Sequence, residues 1–173
     1  MPDYWRTTAL VGSMVLGLAV SSANAQTKLS ETDQDFIETA AQSGAAEVAM
    51  GKTASESKNT AVAEFGKMMI SEHTHMNEEL AGIAKQKGVE PPTSPDLASQ
   101  AKDAAMNVLP GGTFDKQYVS SQLDDHQETL ELLQKQAQEG QDAELKAFAQ
   151  KYVSVVQKHI DQLNQLKSQP ELQ

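Results

Sequence analysis

The sequence contains no cysteine and one tryptophan, and aromatic residues make up only 5% of the chain. The absence of cysteine excludes disulfide bonds and thiolate chemistry, so the fold must be stabilised by packing. Alternating runs of Val, Ile and Thr, which are typical of strands, are also nearly absent. What remains is rich in Ala, Gln, Glu, Lys and Leu, which are good helix formers. The composition therefore predicts an all-α protein.

Positive charge is also scarce. The chain has 14 Lys and Arg against 24 Asp and Glu, a net charge of −10, and the charges are dispersed. This balance argues against binding to nucleic acid or to an anionic membrane surface. The sequence does not decide whether the protein binds a protein partner or associates with itself. Because the chain has no Gly-rich phosphate loop, no G-x-S-x-G motif and no cysteine nucleophile, a binding protein is favoured over an enzyme.

The N-terminus has the three parts of a secretory signal peptide. Arg6 supplies the positive charge, residues 9–20 form an apolar run, and residues 23–25 (Ala-Asn-Ala) match a cleavage site. An apolar run of about twelve residues is too short to span a bilayer of roughly 30 Å. We therefore expect cleavage after Ala25, a periplasmic or secreted single domain of residues 26–173, and no transmembrane segment after cleavage.

Capping and breaking residues divide the rest of the chain into helices. The first helix begins at a capping box formed by Ser30 and Asp33 and ends near residue 58. The other predicted segments are a second helix at 61–87, a short helix at 94–109 that Ser94 caps, a third long helix at 113–140 that Thr113 caps, and a fourth at 142–168.

The connections between these helices predict their arrangement. Tight turns follow the first and third long helices, and such turns place consecutive helices antiparallel. A longer crossover with the short helix joins the two hairpins. This is the connectivity of an antiparallel four-helix bundle of the ferritin-like type.

Each long helix carries one polar residue near the middle of its apolar face. At about 100° per residue, apolar side chains share a face with that polar residue in every case. The four residues are Glu47, His73, His126 and His159. At about 1.5 Å per residue from the turns, the first three lie at similar heights and His159 lies about one turn deeper. We therefore expect the four side chains to meet in the core.

Two interpretations explain such a meeting. An ionised Glu in a core is costly unless it is paired or coordinated. Three imidazoles and a carboxylate would suit one transition-metal ion, namely zinc, iron or copper. The alternative is a hydrogen-bonded Glu–His network without metal, in a non-catalytic envelope or stress-related protein that acts through its outer surface.

A two-iron oxidase of the ferritin type is not favoured. Glu72-x-x-His75 matches half of the required carboxylate motif, but His126 and His159 are each preceded at i−3 by an apolar residue. Glu72 also projects about 100° away from His73 around the helix, and His75 about 160° away.

The sequence resembles the bacterial DUF4142 family. The similar segments are residues 36–41 (FIETAA), 44–51 (GAAEVAMG) and 65–74 (FGKMMISEHT), followed by His126 and His159. The resemblance implies an exported, ferritin-like helical protein without an established activity. It also implies that Glu47, His73, His126 and His159 are the positions of interest.

Overall fold

A computed structural model describes residues 28–172, which form five α-helices, one short 3₁₀ turn and no strand. The helices are α1 (Glu31–Ala54), α2 (Thr60–Gln86), α3 (Leu97–Asn107), α4 (Gly111–Glu139) and α5 (Ala143–Lys167), and the 3₁₀ turn is Pro170–Leu172. The all-α prediction is therefore confirmed for this part of the chain. No helix within it is both long and apolar enough to cross a bilayer. The predicted signal peptide, residues 1–25, lies outside the described residues.

The four long helices share one apolar core. α1 packs chiefly against α2 and α4 against α5, while α1 also contacts α4 and α2 also contacts α5. α3 lies against α1 and α4. The most deeply buried large side chains of the core include Ile37, Met69, Tyr118, Leu133, Leu145 and Leu163. Since each long helix contributes to this core, a residue on the inner face of any of them can reach its centre.

Side-chain caps fix the start of most helices. The predicted cap at Ser30 is present. Asp142 caps α5, and Asn59 caps α2 by accepting from the backbone of Ala61. α3 begins later than predicted, because Asp96 rather than Ser94 supplies the cap and accepts from Ala98 N at 2.7 Å. These caps satisfy backbone N–H groups that a helix cannot pair internally.

Two further predicted helix boundaries were wrong. α1 ends at Ala54 and not near residue 58. Its last residues give way to a turn in which Ser57 donates to the Asp115 carboxylate at 2.6 Å and accepts from Asn59 N. α4 begins at Gly111, after Pro110, so Thr113 lies inside the helix and does not cap it. Pro110 occupies the N-cap position in an extended conformation and offers no side-chain cap.

Gly51 and Gly66 allow α1 and α2 to approach closely. A Cβ atom built on Gly66 would lie 2.7 Å from Ser55 N and 2.8 Å from Gly51 O, and one on Gly51 would lie 2.9 Å from Gly66 O. These neighbours are backbone atoms, so they cannot rotate away. Gly82, also in α2, has nothing within 4 Å of its Cβ position. The two helices are thus held at a separation that only glycine permits at these contacts.

We expect Gly66→Ala and Gly82→Ala to change stability in opposite directions. Gly66→Ala should lower the free energy of unfolding by about 1–3 kcal/mol, because the methyl group overpacks a backbone contact. Gly82→Ala should raise it by about 0.5–1 kcal/mol, because alanine is the better helix former. Urea unfolding measures both. Equal effects would contradict the close approach of α1 and α2.

Asp33 joins the start of α1 to the loop between α4 and α5. Its carboxylate accepts from Gln136 Nε2 at 2.7 Å, from Asp142 N at 3.1 Å and from Gln141 N at 3.1 Å. The side chain is 1% exposed. Burial raises the pKa of Asp33, but hydrogen bonds from Ser30, Gln136 and the loop backbone outweigh it and hold the pKa below its usual value. The ionised form therefore stabilises the fold.

Asp33→Asn should lower the free energy of unfolding at pH 7 by about 1.5–3 kcal/mol, the range for hydrogen bonds to a charged group. The stabilisation by a carboxylate with a lowered folded pKa is complete above the unfolded pKa of about 3.9 and is lost as pH falls through the folded pKa. The difference between wild type and variant should therefore shrink below about pH 4. Urea unfolding at several pH values tests this.

The exposed Asp35 on the same helix provides the control. Asp35→Asn should change stability little at any pH, because an exposed carboxylate forms no comparable buried hydrogen bonds. A penalty for Asp33→Asn that stayed constant down to about pH 3 would contradict the role of the ionised carboxylate.

Candidate metal centre

Three of the long helices bring a histidine to the same point in the core. His73 on α2, His126 on α4 and His159 on α5 are 2%, 0% and 1% exposed. Their ring centroids are 5.5 Å apart for His73–His126, 5.5 Å for His73–His159 and 5.3 Å for His126–His159. One ring nitrogen from each histidine lies within 4.8 Å of the other two. The three rings therefore form a single cluster.

Each ring of this cluster has a buried nitrogen that makes no hydrogen bond to any atom of residues 28–172. These nitrogens are Nε2 of His73, Nε2 of His126 and Nδ1 of His159. Buried polar atoms in proteins are nearly always hydrogen-bonded. Three unpaired nitrogens in one cluster are therefore a feature that the apolar core alone does not explain.

The backbone of α4 fixes the tautomer of His126. Its Nδ1 lies 2.9 Å from the carbonyl oxygen of Gln122, one helical turn earlier. A carbonyl oxygen can only accept, so Nδ1 carries the proton and donates it. In the neutral ring, Nε2 is then left with its lone pair.

Glu72 fixes the tautomer of His159 in the same way. Its carboxylate Oε2 lies 2.8 Å from His159 Nε2 and accepts the hydrogen bond, which leaves the lone pair on the buried Nδ1. Metal-binding histidines are commonly oriented by a carboxylate or carbonyl on the nitrogen that does not bind the metal. His126 and His159 each have such a partner.

Burial keeps the three imidazoles uncharged. It lowers the pKa of His73 well below its usual value, and the neighbouring His126 and His159 lower it further. Burial also lowers the pKa of His126, to about 3. The pKa of His159 is lowered by burial as well, although Glu72 opposes the shift. The rings are therefore neutral at neutral pH, which is the form that binds metal ions.

Glu47 on α1 lies beside the cluster. Its side chain is 5% exposed, its Oε1 lies 3.9 Å from His126 Nδ1, and its Oε2 has no hydrogen-bond partner in the described chain. Burial and the nearby Asp125 raise the pKa of Glu47 to about 8. Because Oε1 approaches the Nδ1 edge of His126, Glu47 sits away from the unpaired Nε2. The structure thus clusters the three histidines, with Glu47 as their neighbour.

The cluster has nearly the dimensions of a metal site. Three nitrogens bound to a tetrahedral metal at about 2.0–2.1 Å lie roughly 3.3 Å from one another. In the structure one ring nitrogen of each histidine lies within 4.8 Å of a ring nitrogen of each of the other two. Side-chain rotations that move each nitrogen by about an ångström would close the difference. The three residues could therefore hold a metal ion.

The sequence did not indicate the partners that orient the rings. Glu72 appeared there only as part of a motif with His75, yet its carboxylate contacts His159 on another helix. His75 faces away from the cluster as its helical angle predicts, and its side chain is 69% exposed. Helical periodicity indicates which residues face the core, but it carries no information about which exposed carboxylate will reach across to a neighbouring helix.

The chain belongs to the DUF4142 family. The family model, described as "Domain of unknown function (DUF4142)", matches residues 18–166. The match includes Glu47 and all three clustered histidines. No curated protein and no solved structure matches the chain.

Proposed function

We propose that this protein binds one transition-metal ion through His73, His126 and His159. The Glu47 carboxylate is the fourth ligand, and it reaches the ion after its side chain rotates from its position beside His126. The main support for this proposal is the unpaired buried nitrogen on each of the three histidines. An unsatisfied buried polar group costs about 1–3 kcal/mol, and a metal ion would satisfy three such groups at once.

Neutral imidazoles restrict the candidate metals. They suit zinc, iron and copper, whereas magnesium and calcium prefer oxygen ligands. Three protein nitrogens and one carboxylate complete a four-coordinate shell of the kind that zinc takes. Zinc is therefore the first metal to test, followed by iron and copper.

The surrounding architecture and location are part of the proposal. We infer an antiparallel four-helix bundle of the ferritin-like type, in which α1–α2 and α4–α5 are hairpins and α3 lies in the crossover. The three-residue link between α4 and α5 and the pairwise packing of α1 with α2 and of α4 with α5 support this arrangement. The domain would act after export, as residues 26–173.

A second candidate function explains the cluster without metal. In it, the hydrogen bonds from His126 to Gln122 and from His159 to Glu72 form a buried polar network that fixes the packing register. The protein would then be a non-catalytic envelope protein. This alternative leaves one nitrogen of each ring unpaired, which is why the metal-binding function is preferred.

Metal titration separates the two functions. Protein stripped with a chelator should bind one equivalent of Zn²⁺ or Co²⁺ in calorimetry, and His73→Ala should abolish that binding. Glu72→Gln should weaken it about 10–100-fold, because His159 loses the group that orients it. Glu47→Gln should weaken binding without abolishing it. At a free metal concentration one hundred times Kd, metal binding should raise the free energy of unfolding of the wild type by about 2.7 kcal/mol.

His75→Ala is the matched control, since His75 is two residues from His73 but exposed. It should leave both affinity and stabilisation unchanged. His73→Leu should be as stable as the metal-free wild type or more stable, because it removes an unpaired buried nitrogen. Equal metal binding by His73→Ala and His75→Ala would refute the metal centre and favour the polar network.

Export is tested on the processed protein. N-terminal sequencing of the protein recovered from the periplasm should begin at Gln26, because residues 23–25 match the signal-peptidase site. Trp5 is the one tryptophan, so the processed protein should also lack tryptophan fluorescence. A full-length chain that stayed in the cytoplasm would contradict the proposed location.

A further inference from the structure

An acidic cavity lies between α1, α3 and α4, beside the histidine cluster. Its volume is about 410 Å³. The charged residues of its lining are Glu47, Asp96, Lys102, Asp103, Asp125 and Glu128. Apart from Glu47, four carboxylates of the lining stand against the one ammonium group of Lys102. The cavity therefore carries a negative charge that favours cations.

Lys102 does not neutralise this charge. Its ammonium group is engaged by one carboxylate, at 2.7 Å from Asp125 Oδ1 and 2.6 Å from Oδ2. Burial raises the pKa of Asp103 to about 6, although the nearby Lys102 opposes the shift and Asp125 adds to it. Asp103 therefore still contributes a negative charge to the cavity at pH 7.

Glu47 forms the inner end of this cavity. Its Oε2 atom is buried and has no hydrogen-bond partner in the described residues. A second, much smaller space of about 20 Å³ is lined by both Glu47 and His73. The two spaces have Ser43, Glu47, Thr129 and Leu132 in common. Glu47 therefore stands between the acidic cavity and the imidazole of His73.

The histidines need such a connection if they bind an ion. None of the three is more than 2% exposed, so an ion in solution cannot reach them directly. A hydrated divalent cation is attracted by carboxylates, whose oxygens replace its water molecules. The acidic cavity offers these carboxylates at the surface, and Glu47 offers the next one inward.

We propose that the cavity between α1, α3 and α4 is the route by which a divalent cation reaches the histidine cluster, and that Glu47 is the first protein ligand to hold the cation inside. This inference rests on the proposed metal-binding function. It adds a separate role to the cavity: Asp103 and Glu128 attract the ion and set the rate of loading, while the three histidines set the affinity.

Stopped-flow mixing with Co²⁺, followed by its visible absorption, separates rate from affinity. Ser43 lines both spaces, so Ser43→Phe should narrow the proposed route between them. Because a blocked route hinders arrival and departure alike, both rate constants should fall about tenfold while Kd changes less than twofold.

The double variant Asp103→Asn/Glu128→Gln should slow association severalfold and weaken its dependence on ionic strength, since steering by charge raises association rates by about 10–1,000-fold.

Two controls match these variants. Asp124→Asn/Glu131→Gln removes the same charge from exposed positions of α4 outside the cavity lining. Gln162→Phe places the same phenylalanine side chain in the lining of a cavity of about 270 Å³ on the α2–α5 side. Both control variants should load Co²⁺ at the rate of the wild type. Circular dichroism checks that each variant is folded, and the charge variant gives a result even if Ser43→Phe does not fold.

The outcomes distinguish this inference from the metal centre itself. A wild type that binds no Co²⁺ or Zn²⁺ at equilibrium overturns the proposed function and the route together. Normal equilibrium binding with unchanged rates in both Ser43→Phe and the double charge variant overturns the route alone. Equal slowing by the α4 surface control would show that net charge, and not this cavity, governs loading.

Discussion

Each of the three buried histidines has one ring nitrogen that finds no hydrogen-bond partner among residues 28–172. The carbonyl oxygen of Gln122 and the carboxylate of Glu72 occupy the opposite nitrogens of His126 and His159. Burial keeps the rings neutral, so their lone pairs remain available. A core built only for stability would place apolar side chains here, because they carry no unsatisfied groups.

The three unpaired buried nitrogens destabilise the fold, and contacts elsewhere in the structure offset that loss. Without cysteine, the fold depends on the shared apolar core, on the close glycine contact of α1 with α2, and on Asp33, which holds the start of α1 against the α4–α5 loop. These contacts lie on different helices and fix how α1, α2, α4 and α5 face one another. The relative orientation of the four helices determines the geometry of the site, because the histidines lie on three of them and Glu47 lies on the fourth.

Much of this could be predicted from the sequence. The helices follow from composition, caps and periodicity, and the inward direction of His73, His126 and His159 follows from the turn of an ideal helix. Two things did not follow. The roles of Glu72 and Gln122 depend on contacts across helices or on backbone carbonyls, which leave no pattern in the chain. The position of Glu47 beside His126, and not within the cluster, depends on how α1 and α4 pack at ångström precision, which residue counting cannot resolve.

A crystal structure of the protein grown with Zn²⁺, with anomalous data collected at the zinc absorption edge, tests the metal centre most directly. We expect one strong anomalous peak within about 2.0–2.1 Å of Nε2 of His73, Nε2 of His126 and Nδ1 of His159, with Glu72 still hydrogen-bonded to His159 Nε2. Zinc found only at surface carboxylates, with the three buried nitrogens as far apart as they are now, would contradict it.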